Sequence, residues 1–389
     1  MTKKEIGNYL FIMSFGICLF RLAIANTTFS SYIPTSGIFL FLSFLISIIF
    51  ITIKILVCDR IYLKHVFVYM SLIAISILIY RHSGYSDIVF LSILLMGANG
   101  VDLRTIIKTH FYIYLLVMAM ALVCSLLGII DNYIVYSSLH GIRYSLGNTY
   151  PTDFSAGIFY LLVDYIFLKY KKWRVKDFII TITITVVVFY YTKASMDFYL
   201  SIILITAIQM KNSVLFSKHK IKILLKNMIY FLSIIAYPVL CIFSIVCTMN
   251  FKQSNTIYTY INYLFDNRLA YGKLAIEKYG FSLFGNSVQF YGNGWNTQSD
   301  SYFYVDNGFI YILTVYGIVL LTLICISFTI ASIKLRKKYI IINFLLIIIA
   351  LSTLGEPRFI NYLYNPLLFV ISDFILFGKN SVSLKSHDK

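Results

Sequence analysis

Apolar runs of about 20 residues, the length that crosses a bilayer, recur from one end of this chain to the other. In hydrocarbon every backbone polar group must be satisfied internally, which leaves α-helices and closed β-barrels as the only spanning structures. A barrel needs ten-residue blocks of strict apolar–polar alternation, and none recurs here. Composition agrees: 13% of the residues are charged and 59% hydrophobic, against roughly 25% charged in a soluble domain. The expectation is an all-α polytopic membrane protein, a single integral membrane domain over 1–389. The opening "MTKKEIGNYLFIMSFGICLF" lacks an A-x-A cleavage site and reads as a first helix.

Twelve spans are expected, near 8–25, 36–57, 62–80, 87–98, 106–130, 151–168, 176–191, 194–210, 226–249, 305–331, 339–355 and 359–377. The fourth and seventh are short. The net charge of +17 is no nucleic-acid footprint, because Lys and Arg cluster between the spans, as the positive-inside rule requires. With both termini cytoplasmic, 24 of the 33 basic residues fall inside, led by "KYKKWRVK" at 169–176 and "KLRKK" at 334–338. Two segments then dominate the outer face, 131–150 and 250–304. The six cysteines lie in or beside spans without a CxxC, so neither a disulfide framework nor a thiolate metal site is indicated. No P-loop, HExxH, GxSxG or EF-hand pattern occurs, and no metal ligands or cofactor are expected.

Nine basic residues stand against the positive-inside rule. Of these Arg81, Arg143, Arg268 and Arg358 occupy four separate outer segments, each beside polar or turn-forming residues. Arginine offers a planar fork for phosphate and keeps its charge in poor solvent. Four such residues suggest a site for a phosphorylated, lipid-anchored substrate, although each taken singly reads equally well as a headgroup contact or surface ion pair. The outer segments are also rich in Tyr, Phe, Asn and Gly, which suits sugars, with their apolar CH faces and many hydroxyls. An aromatic belt is the plainer reading. Ionisable residues well inside spans are few: Arg21, Asp164, Asp197 and Asp373.

Three stretches in order carry a resemblance: "RYSLGNTYPTDFSAGIFY" at 143–160, "FDNRLAYGKLAIEKYGFSLFGN" at 265–286 and "VDNGFIYILTVYGI" at 305–318. With about a dozen spans and the largest outer loop well past the middle, the chain resembles the Wzy-type polysaccharide polymerases. These belong to the superfamily that includes O-antigen ligases. The resemblance covers about a third of the chain. It implies transfer of a growing glycan from undecaprenyl pyrophosphate to a new lipid-linked repeat unit, at the outer face of a bacterial cytoplasmic membrane. It implies neither metal nor nucleotide, and as partners the lipid-linked oligosaccharide, the bilayer, a chain-length regulator and a flippase. By the same resemblance Arg143 and Arg268 are pyrophosphate ligands, with Arg358 and Arg81 in support.

Related ligases place His-Asn where this chain has Asp306 and Asn307. A carboxylate can also accept the proton of an attacking hydroxyl, so Asp306 is the expected base and Glu356 its rival. Asp is also a favoured helix N-cap, which gives Asp306 an ordinary explanation, and Asp153 reads as the cap of the sixth span. Two other functions share these features. A ligase would use the same chemistry on another acceptor. A lipid-linked oligosaccharide flippase would show matched halves and charged mid-membrane helices, and no repeat is evident.

Overall fold

The computed structural model describes residues 2–137, 141–210, 219–264, 266–291 and 303–372. Fourteen α-helices follow one another among them: α1 (Lys3–Ala25), α2 (Ile38–Ile53), α3 (Leu63–Ser83), α4 (Asp87–Gly97), α5 (Leu103–Leu126), α6 (Pro151–Lys169), α7 (Val175–Thr192), α8 (Ser195–Met210), α9 (His219–Asn250), α10 (Thr256–Leu264), α11 (Arg268–Tyr279), α12 (Gly308–Tyr311), α13 (Gly317–Leu335) and α14 (Ile340–Ser352). Eight helical stretches are long and apolar enough to cross a membrane. The chain is thus an all-α, membrane-embedded protein.

Several expected spans differ from the helices found. The fourth is only the 11 residues of α4, about 16 Å at 1.5 Å per residue. α8 and α14, at 16 and 13 residues, also fall short of the roughly 30 Å core. The last expected span, 359–377, is not one helix where it is described. Single 3₁₀ turns occupy Pro357–Ile360 and Pro366–Phe369, each begun by a proline that cannot join an α ladder. Non-helical backbone at such depth is tolerated where protein surrounds it, and 362–370 is buried throughout. Asp373 lies outside the described residues.

Chain contacts divide the molecule into two compact units. The first takes Met1–His65, Ile93–Leu224 and the chain from Tyr362 onward. Here α1 packs on α2 and α5, α5 on α6, and α6 on α7 and α8. Lipid is as apolar as leucine, so close packing and interhelical hydrogen bonds hold such helices, each bond contributing about 0.6 kcal/mol. His110 of α5 and Asp164 of α6 form a fully buried pair, Nδ1 to Oδ2 at 2.5 Å. The other ring nitrogen of His110 donates to the Leu363 carbonyl at 2.7 Å, tying down the non-helical segment. The same segment is held again by Tyr364, whose hydroxyl meets Asp153. Asp153 is therefore not the cap of α6. That position is Tyr150, and Asp153 sits in the first turn, accepting from Thr149.

The second unit takes Val66–Ser92 and Leu225–Asn361. Its organising feature is a break in the expected tenth span. α12 runs into a π-helical turn (Ile312–Tyr316) and stops at Gly317, whose φ of 89° is open to glycine. α13 then runs for 19 residues, about 28 Å. The loop Phe281–Asn286 fills the break. Ile318 and Val319 donate to the carbonyls of Ser282 and Leu283, and Asn286 donates to those of Thr314 and Val315. Gly285 and Gly317 make that approach possible. A Cβ on Gly285 would lie 2.0 Å from the Val315 oxygen, and one on Gly317 2.4 Å from the Gly285 nitrogen. On α9, Tyr237 stacks on Phe328 of α13 at 4.3 Å, and Ile234 accepts from Thr329.

Candidate active site

The four residues Asp306, Asn307, Glu356 and Arg358 meet at the start of α12, where a glycine permits it. Gly308 donates its backbone N–H to the Thr353 carbonyl at 2.7 Å. A Cβ there would come within 2.6 Å of the Glu356 oxygen. With no side chain in the way, the strand leading into α12 lies directly against the turn that carries Glu356 and Arg358. Asn307, not Asp306, caps α12: its Oδ1 accepts from the N–H groups of Phe309 and Ile310. The amide nitrogen of Asn307 donates to Ser244 of α9. Capping therefore leaves the carboxylate of Asp306 for other work.

Arg268 acts on the Asp306 carboxylate through its charge; it is the first residue of α11, a helix that packs against the π turn. A tight corner sets its direction. Asp266 and Asn267 both take left-handed conformations, φ 49° and 65°, which Asp and Asn adopt more readily than most residues. Asn262 closes the corner, accepting from Ala270 and donating to Asn267. Arg268 lies 3.7 Å from Asp266, and its buried Nε makes no hydrogen bond with any described residue. Arg358 pairs with the buried Glu356 at 3.1 Å.

These neighbours decide the protonation of Asp306. It is half-buried, and desolvation raises its carboxyl above the ordinary value of 3.8. Arg268 and Arg358 pull it down, while Glu356 and Asp266 push it up. Burial prevails. A carboxylate so placed is a stronger base than an exposed one, and two cations act on it.

Aromatic rings wall the start of α12. Phe290 stacks on Tyr311 at 5.6 Å and touches Tyr304 at 4.9 Å. Tyr85, before α4, lies edge-on to Tyr316 and donates to the Val288 carbonyl. The chain reaches these rings through the Tyr291–Phe303 bridge, and 292–302 lie outside the described residues.

Two further expected site residues are Arg81 and Arg143. Arg81 is exposed at the last turn of α3, with no ion pair to a described residue. Arg143 belongs to the first unit. The segment expected as a plain outer loop forms a two-stranded hairpin there, β1 (Ile134–Ser137) and β2 (Gly141–Tyr144), with Arg143 on β2. Arg143 is buried, donates from Nε to the Thr192 carbonyl at 2.7 Å and lies over the Tyr150 ring. Sequence reasoning also passed over Asp266, the aromatic wall and the glycine pair. Only "DN" before Arg268 signalled a left-handed corner.

The chain matches no protein-family model, no curated protein and no solved structure.

Proposed function

We propose that the second unit carries a glycosyl-transfer site, and that the chain is a polymerase joining polyprenyl-pyrophosphate-linked oligosaccharides at the outer face of a bacterial cytoplasmic membrane. One observation carries the reading. The partly buried carboxylate of Asp306 lies within the influence of two largely buried arginines, Arg268 and Arg358, and Arg268 has an unmet donor. Polymerisation by pyrophosphate displacement needs that combination. The acceptor hydroxyl gives its proton to Asp306 as its oxygen attacks the anomeric carbon of the donor. The bond from that carbon to pyrophosphate breaks, and the electron pair leaves with the lipid pyrophosphate.

Charge thus develops on the leaving group, where preplaced cations in a low-dielectric site lower the barrier most. Arg268 and Arg358 fill that role in this reading, and Glu356 holds Arg358. The aromatic wall offers faces for the sugar rings. Arg143 enters only through the resemblance of its surrounding sequence to the polymerases, and Arg81 only as one of the four outer arginines. The test is a reconstituted assay with the lipid-linked repeat unit isolated from the source cells lacking this chain. Wild-type protein should convert single repeats to a polymer ladder, and Asp306→Asn should leave them single. No ladder from well-folded wild-type protein would refute the proposal.

A further inference from the structure

Helix α10 is an unusual exposed helix. It has no charged residue in "TIYTYINYL", although a helix facing water on one side normally lines that side with charge. Its inner side is accounted for: Tyr258 and Ile261 pack on Cys247 of α9, on Phe251 just after that helix and on Leu269 of α11, and Asn262 is buried at the corner. The other side shows Tyr260 and Tyr263, 63% and 67% exposed, beside the exposed Thr256 and Thr259, with Ile257 at the flank, 70% exposed. Tyrosine collects at the membrane–water interface, where its ring meets acyl chain and its hydroxyl meets water.

What covers that side follows from the helix before it. α9 presents Val239, Ile242, Val246 and Met249, all about half exposed or more, up to its last turn. That spacing is one helical stripe, and in a membrane-embedded chain its cover is lipid. Five residues later α10 begins, so the lipid-covered surface ends where the tyrosine face starts. An uncharged helix with outward tyrosines and threonines matches the layer just beyond the acyl chains.

We propose that α10 is an interfacial helix, seated through Tyr260 and Tyr263 in the headgroup layer of the surrounding bilayer. The Asn262 corner joins α10 rigidly to α11, so this seat also fixes Arg268 at the depth of lipid phosphates. That second part rests on the polymerase reading; the first does not. A donor arriving by lateral diffusion would then meet Arg268 with its pyrophosphate already level with the guanidinium.

The experiment uses the full chain in vesicles of phosphatidylethanolamine and phosphatidylglycerol. Benzoylphenylalanine replaces Tyr260, Tyr263 or, as the inward control, Tyr258, and irradiated protein is weighed by mass spectrometry. Phospholipid adducts at 260 and 263, with intramolecular crosslinks at 258, are the expected result. Hydrated, uncrosslinked label at 260 and 263, or adducts to another polypeptide there, would overturn the seat. For the second part, Tyr260→Asp with Tyr263→Asp should cut polymer formation at least about tenfold while the variant still elutes as a single folded species. Wild-type polymer from that variant would show that the seat does not set the depth of Arg268. Failure of every variant and of wild type to polymerise would instead strike the polymerase reading, leaving the lipid adducts to decide the seat.

Discussion

Asp306 was legible in the sequence only as one of a polar pair at the edge of an apolar run. Its two explanations, cap and base, could not be separated there, because both want a carboxylate before a helix. The structure separates them by giving the cap to Asn307. Asn307→Ala should therefore destabilise the protein by about 0.5–2 kcal/mol, read as a lower melting temperature. Asp306→Asn should act oppositely. A carboxyl raised in the folded state stabilises folding most below its ordinary 3.8, and that contribution is lost as pH rises through the raised value. At neutral pH the Asn variant should melt slightly above wild type, yet turn over about 10²–10⁴ times more slowly. A normal rate in Asp306→Asn would move the search for the base to Glu356. Wild-type activity should fall on acidification at a pH above 3.8, and Arg358→Gln should move that limb higher by removing a cation that lowers the carboxyl. A limb that stays in place would deny Arg358 its electrostatic share. Arg268→Lys keeps the charge and loses the fork. Hydrogen bonds to charged groups contribute about 1.5–3 kcal/mol each, so a loss of roughly ten- to hundredfold is expected in a polymerisation assay.

At the scale of elements, long apolar runs gave the helices away and short ones misled. Hydropathy cannot tell a helix of 19 residues from one of 28 broken by a turn, since the turn at Ile312–Tyr316 is as apolar as its flanks. The two glycines that make the break, Gly285 and Gly317, lie 32 positions apart in sequence, and no local pattern joins them. Each stood in a stretch singled out by the resemblance, and their contact supplies a physical reason for both. Gly285→Ala should cost about 2–5 kcal/mol, summing left-handed strain of ~1–2 and overpacking of ~1–3. Gly317→Ala should do the same. Thermal melts in detergent measure it, and a neutral Gly285→Ala would mean that the loop lifts away without penalty. The hairpin around Arg143 was hidden for another reason. "YIVYSSLHGIRY" is too short and too mixed to stand out beside twenty-residue runs.

For the whole molecule, the charge pattern forecasts the orientation in the membrane. Cysteine placed at Tyr136 or Gln289, both exposed, should react with an impermeant reagent applied from outside, and cysteine at Lys172 or Arg336 should not. Labelling at 172 from outside would invert the orientation and put the Asp306 site on the wrong face for the proposed reaction. The class and embedding were readable because lipid leaves so few solutions; the division into two units was not, because it depends on contacts distant in sequence. Synthesis adds a constraint of its own. The ribosome delivers α7 first, then α8 after the two residues Lys193 and Ala194. At 16 residues, with Asp197 in its first turn, α8 is a poor substrate for the insertion machinery by itself. Phe198 stacks on Phe189 of α7 at 4.3 Å, so the two can leave the translocon as one hairpin, the earlier helix chaperoning the later. In a reporter fusion, a segment ending at 210 that begins at 175 should insert fully, whereas one beginning at 194 should remain largely outside the membrane.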